Sequence, residues 1–285
     1  MITRSQASSR SGFTLVEILV VVGIIAVLIA ILLPALSSAR GTSEKTAELN
    51  SLRQIGMGWS MYSEYSNSRI LPGYIAPDVQ TAWNVSFPLK YDDTTVPQAQ
   101  AASYPWRLLP YLDQNHFLID DYTQLSDSDP RPRLDNIAFE PAFGYNAHYI
   151  GGWFEAVEPN GRPVVRFEAA NVIARTVTSL RRPSENIIFT SSANRNTGDR
   201  FAEVKDNIAG SHFVMPPIVA MSRQWDSEGS NLIVMATTSV PIMRYTHQIA
   251  VLNADGHTEG SSPDGLNDQR RWIPIADRAD FTHAP

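Results

Sequence analysis

Cysteine is absent from this chain of 285 residues. Its absence excludes disulfides, thiolate zinc sites, iron–sulfur clusters and cysteine nucleophiles. It leaves the compartment open, because a chain of this length that is 43% apolar can bury a core without cross-links. Positive charge is also in short supply: 23 Lys and Arg stand against 29 Asp and Glu, for a net charge of −6. Such a chain repels phosphate backbones, which argues against nucleic acid as a partner. No Gly-x-Ser-x-Gly, phosphate-binding loop, dinucleotide fingerprint or His-Glu-x-x-His occurs, and no repeat of fixed period is visible. Acid pairs such as Asp92-Asp93 fall in loop-like sequence and do not make a convincing glycosidase pair. These absences point away from an enzyme.

One segment lacks polar residues almost entirely. From Phe13 to Leu36 only Thr14, Glu17, Gly23 and Pro34 interrupt an apolar run. As a helix rising 1.5 Å per residue it spans about 36 Å, enough for a hydrocarbon core of ~30 Å. A short leader with Arg4, Arg10 and no acid precedes it. The positive-inside rule then places the N-terminus in the cytoplasm and the remainder outside. A secretory signal would carry its small-residue cleavage site after the apolar run. Here Gly12 comes before it, so a cut there leaves the span attached. Glu17 is the anomaly, since a carboxylate in a membrane span costs roughly 2.5–3.5 kcal/mol and calls for a partner.

Gly12-Phe13-Thr14-Leu15-Val16-Glu17 resembles the processing site of type IV prepilins and type II secretion pseudopilins. The resemblance implies cleavage after Gly12 by a prepilin peptidase and N-methylation of Phe13. It places Glu17 and Pro34 where the family keeps a glutamate and often a proline. A free α-amine is largely cationic at neutral pH, so Glu17 can pair with the amine freed at Phe13, its own or a neighbour's, and set the register between subunits. Pro34 lacks an amide donor, and is expected either to kink or locally melt the helix or to end its bilayer-embedded part. The implied partners are the peptidase, other pilin or pseudopilin subunits and the inner-membrane assembly machinery.

Beyond the polar stretch 37–48, Leu49, Leu52, Ile55, Trp59 and Tyr62 recur at helical spacing, which predicts one long helix to about Tyr65 with an apolar stripe against a head. Ser66-Asn67-Ser68 closes it. The expected organisation is a leader (1–12), a transmembrane half (13–36), an amphipathic half (37–66) and a globular β-rich head (67–285). The fold class is α+β: a long N-terminal helix packed against a head with an antiparallel sheet, pilin-like. Strands are expected at 162–167, 172–178, 186–190, 231–237 and 248–253 with a continuation past Gly256. A short helix or packed loop is expected at 105–113, and surface loops at 91–104 and 120–136.

Several head segments resemble a large-headed subset of prepilin-type proteins with a C-terminal histidine-to-Asp-Gly motif. They are Asn50–Gly56, Trp106–Gln114, Gly144–Asn146, Arg182–Phe189, and His247 with Asn253-Ala254-Asp255-Gly256-His257. Two features depart from that subset: His247 stands closer to Asp255 than the motif has it, and the cysteine before the Pro-Ser segment is missing.

No cofactor is called for, but two clusters bear on metals. His247, Asp255 and His257 invite a metal reading, while Asp255-Gly256 is also ordinary hairpin-turn sequence. Asp264, Asn267 and Asp268 offer oxygens for a structural calcium ion, although the full set of six or more ligands is not visible. Asp120, Asp121, Asp127 and Asp129 read as a solvated loop. Trp83, Trp106, Trp153 and Trp225 are candidates either for the core or for stacking on sugars. Two functions follow: a processed subunit of a type II secretion or type IV pilus-like structure, held in the inner membrane with its head periplasmic or extracellular, or a membrane-anchored module whose head captures a carbohydrate or protein.

Overall fold

The computed structural model describes residues 15–87, 95–113, 134–166, 171–194, 210–214, 239–244 and 248–281. The chain forms two compact units, residues 1–44 and 45–285. One helix, α1 (Leu15–Tyr65), supplies the described part of the first unit and the opening of the second. Helical assignment continues through Pro34, so the expected local melting does not occur there. In residues 15–36 the large apolar side chains are exposed all round, from 48% at Ile25 to 80% at Leu15.

The second unit begins inside α1, at Lys45, and not after the helix. Here the helix is amphipathic as its spacing requires. Leu52, Ile55 and Trp59 are buried, and Leu49 and Tyr62 pack against the same core. The helix stops at Tyr65 because Asn67 and Ser68 turn left-handed, with φ of 55° and 63°, and the Ser68 amide bonds back to the Ser63 carbonyl at 2.8 Å. Such a left-handed stop suits asparagine, which adopts it at little cost.

The head contains two sheets. The larger runs β2 (Phe143–Tyr145), β5 (Ile187–Asn194), β7 (Ile249–Asn253), β8 (Thr258–Ser261), with β6 (Ser239–Pro241) also paired to β5, and all its pairings are antiparallel. The smaller joins β1 (Tyr74–Ile75), β3 (Trp153–Val157) and β4 (Pro163–Val165), with β1 parallel to β3. Short helices α2 (Pro77–Trp83), α3 (Gln98–Ala101), α4 (Pro105–Leu108) and α5 (Leu134–Phe139) fill the connections. The main core gathers the α1 stripe, Tyr104, Leu108, Tyr145 and Phe189. Helix α1 meets the 3-10 turn Leu109–Leu112 closely at Gly58, where a Cβ would lie 2.7 Å from Leu112 Cδ2, and the sheet at Gly56, where it would lie 3.0 Å from Leu252 Cδ1. Polar ties join the same surfaces: Ser191 Oγ donates to the buried Glu48 carboxylate at 2.5 Å, and Lys45 Nζ donates to Gln248 Oε1.

The expected strands at 186–190 and 248–253, with its continuation, are present, and the first extends to Asn194. The expectation at 162–167 shortens to β4. Residues 172–178 are not a strand. Ala174 and Thr176 make only isolated bridges before a 3-10 turn at Val177–Ser179. Part of the expected surface loop 91–104 is interior: Ala101, Ala102, Ser103 and Tyr104 are buried, because α3 docks them beneath β1. The 231–237 strand, residues 91–94 and 120–133, and Trp225 lie outside the described residues.

Candidate functional sites

Glu17 stands in the first turn of α1, where a carboxylate complements the positive end of the helix dipole. Gly12 and Phe13 lie outside the described residues. The sixteen large apolar side chains left exposed between Leu15 and Leu36 set the energetics of this segment. At about 1.5–3 kcal/mol each, leaving them in water costs on the order of 30 kcal/mol, beyond the whole stability of a typical domain at about 5–15 kcal/mol. Burial in lipid or against other apolar helices removes that cost.

The C-terminal candidates resolve into turns. Asp255 and Gly256 form the β7–β8 hairpin: Gly256 has φ of 88°, the Asn253 amide donates to the His257 carbonyl at 2.9 Å, and Asp255 Oδ1 accepts from the His257 amide at 2.9 Å. Asp255 therefore serves its own turn, and His247 lies outside the described residues. Asp264 opens a 3-10 turn that ends at Leu266, and Asn267 follows it. Asp268 caps the next turn and takes both Nε and Nη2 of Arg270. That hydrogen-bonded guanidinium holds the Asp268 carboxyl below the usual range. Among the described residues no three His, Asp or Glu side chains converge in a metal-binding arrangement.

Sequence reasoning missed the most unusual polar group of the head. Arg107 lies 4% exposed within Pro105–Leu112. Its side chain donates five hydrogen bonds, all to backbone carbonyls: Pro72 (twice), Gly73, Ala101 and Ala102, at 3.0–3.2 Å. Desolvation lowers its pKa to about 10, so it remains a cation at neutral pH. An arginine inside the apolar Pro-Trp-Arg-Leu-Leu-Pro run was the available signal. Arg107 lines a cleft of about 710 Å³ in the head, whose rim carries the exposed Arg69, Trp83 and Arg175. Trp83 meets Phe154 edge-on at 5.0 Å, and the Arg175 guanidinium lies 5.9 Å from the Phe154 ring centre.

Of the other tryptophans, Trp106 is buried and Trp153 stacks on Tyr74 at 4.3 Å and on His148 at 5.0 Å. Arg166 approaches both the Trp153 face and His148 Nε2. Burial, then Arg166, lowers His148 to about 3, and burial lowers His212 to about 4.

A single apolar N-terminal helix followed by a mixed α+β head is the pilin-like architecture. Residues 7–33 match the family model described as the prokaryotic N-terminal methylation motif. The chain thus carries a prepilin-type N-terminal motif, and its described residues hold one helix long and apolar enough to cross a membrane. The motif implies processing by a prepilin peptidase and assembly with pilin subunits. No curated protein and no solved structure matches the chain.

Proposed function

We propose that this protein is a non-enzymatic structural subunit of a type II secretion or type IV pilus-like assembly. In this reading the peptidase cuts after Gly12 and methylates Phe13. Residues 13–36 hold the subunit in the inner membrane, and the head faces the periplasm or the exterior. The observation that carries the reading is the placement of Glu17: one acid, in the first helical turn, five residues past Gly12, at the head of an apolar helix whose large side chains stay exposed among the described residues. The amine freed at Phe13 gives that acid a cationic partner in a low-dielectric bundle, and one-sided loss of such a pair costs about 3–5 kcal/mol. The segments that resemble the large-headed subset support the finer likeness, because Leu52, Ile55, Trp106, Leu108, Tyr145, Ile188 and Phe189 all build the head's main core.

Mass spectrometry of protein taken from its native membrane tests the processing. A mature N-terminus at methylated Phe13 is expected, and an intact leader refutes the reading. Glu17→Ala is expected to insert normally and to lose assembly, measured by cross-linking in the membrane. Undiminished assembly of that variant removes the register role.

A further inference from the structure

The head's cleft has a consistent chemistry. Its described lining residues include Arg69, Arg107 and Arg175 and not one Asp, Glu, Asn or Gln. The rest of the wall is almost entirely apolar or aromatic, with Tyr62, Trp83, Tyr111 and Phe154 its largest surfaces. Tyr62 and Tyr111 meet edge to face at 5.6 Å, and Trp83 and Phe154 do so at 5.0 Å. The carbonyls around Arg107 satisfy its donors without cancelling its charge, so the positive potential of the buried guanidinium adds to that of the two rim arginines.

We propose that this cleft is a binding site for a small amphiphilic anion, an aromatic or branched apolar body carrying a carboxylate. The volume of about 710 Å³ falls within the usual range for small-molecule sites. Planar guanidiniums at the rim match a carboxylate and are only weakly hydrated, so they give up water cheaply to bind it. The aromatic walls take the apolar body. A neutral saccharide fits less well, since among the described lining residues only the Tyr62, Tyr111 and Thr176 hydroxyls and the arginines offer side-chain hydrogen-bond partners for its many hydroxyls, and unpaired buried hydroxyls are costly. The site belongs wholly to the head and does not depend on whether the chain assembles.

Calorimetric titration of the full chain in zwitterionic nanodiscs, with empty nanodiscs as the blank, tests the proposal. The probes are 2-naphthoate, its neutral counterpart 2-naphthylmethanol, and methyl glucoside. Saturable binding of 2-naphthoate is expected, about tenfold tighter than that of 2-naphthylmethanol, with methyl glucoside failing to compete. The double variant Arg69→Gln/Arg175→Gln, altered at two exposed positions, is expected to melt as the parent does and to bind 2-naphthoate about tenfold more weakly. Absence of saturable naphthoate binding overturns the proposal, as does equal affinity for the neutral probe, or undiminished binding by the folded double variant.

Discussion

The two ends of α1 are both rich in apolar residues, and they behave differently. Between 15 and 36 apolar side chains cover the whole circumference and stay exposed. Between 45 and 65 a stripe of them is buried in the head, while Met57, Met61 and Tyr65 stay exposed. Period, more than hydrophobic content, identifies the partner. A stripe repeating every three to four residues fits one surface that the same chain provides. An all-round apolar helix has no single face to bury, so what covers it must surround it, as lipid or a bundle of like helices does.

Substitutions probe this contrast, with the largest effects in the head. Arg107→Met strips the Pro72, Gly73 and Ala101 carbonyls of the Arg107 donor, while the Ala102 carbonyl keeps the Ile75 amide. At about 1–3 kcal/mol for each buried group left unpaired, the head is expected to lose at least about 3 kcal/mol and to unfold well below the parent's melting temperature. Trp59→Ala, on the buried stripe, is expected to cost about 3–5 kcal/mol in denaturant melts. A near-neutral result there means that the stripe does not hold helix and sheet together.

Acid is expected to act on the head as well. Both His148 and His212 have folded pKa values below the ordinary 6.5, so between those values and 6.5 the unfolded chain binds protons that the folded chain does not. Their contribution is therefore complete above about pH 6.5 and is lost as pH falls toward 4. For the buried His148 the loss at pH 4 is on the order of 3 kcal/mol, and it is smaller for the part-exposed His212. Melting temperature followed from pH 7 to pH 4 measures it. His148→Phe, which keeps an aromatic ring on Trp153, should flatten the slope. Gly58→Val overpacks the contact with Leu112 and is expected to cost about 1–3 kcal/mol. At the small end, Leu28→Ala in the exposed half should leave the head's unfolding free energy within about 0.5 kcal/mol of the parent's. A larger change breaks the contrast between the two ends.

The helix was legible because its signals are local. Its apolar run, its stripe from Leu49 to Tyr62 and its stop at Asn67 each depend on neighbours within a few residues. The hairpin at Asp255-Gly256 was legible for the same reason. The strands missed, β1, β2, β3 and β6, are five residues or fewer and join partners far along the chain, as when Phe143 pairs with Ser191. A run so short carries too little alternation to be read alone. At 172–178 the β-branched residues imitate a strand, but only isolated bridges form, so propensity yields to the available partners. Arg107 escaped notice because an arginine is ordinarily a surface residue, and its burial follows from four carbonyls contributed by two separate segments of the chain.

What the sequence determined by itself is the N-terminal segment: an apolar helix long enough for a bilayer, one acid at its start, and a processing-type motif ahead of it. These rest on composition and spacing along a single helix, which needs no distant contact to form. Only the tertiary structure decided that the head begins at Lys45, that residues 101–104 are interior and that Arg69, Arg107 and Arg175 share one aromatic cleft. Those facts depend on surfaces brought together from positions scores of residues apart, where no local pattern records which face meets which.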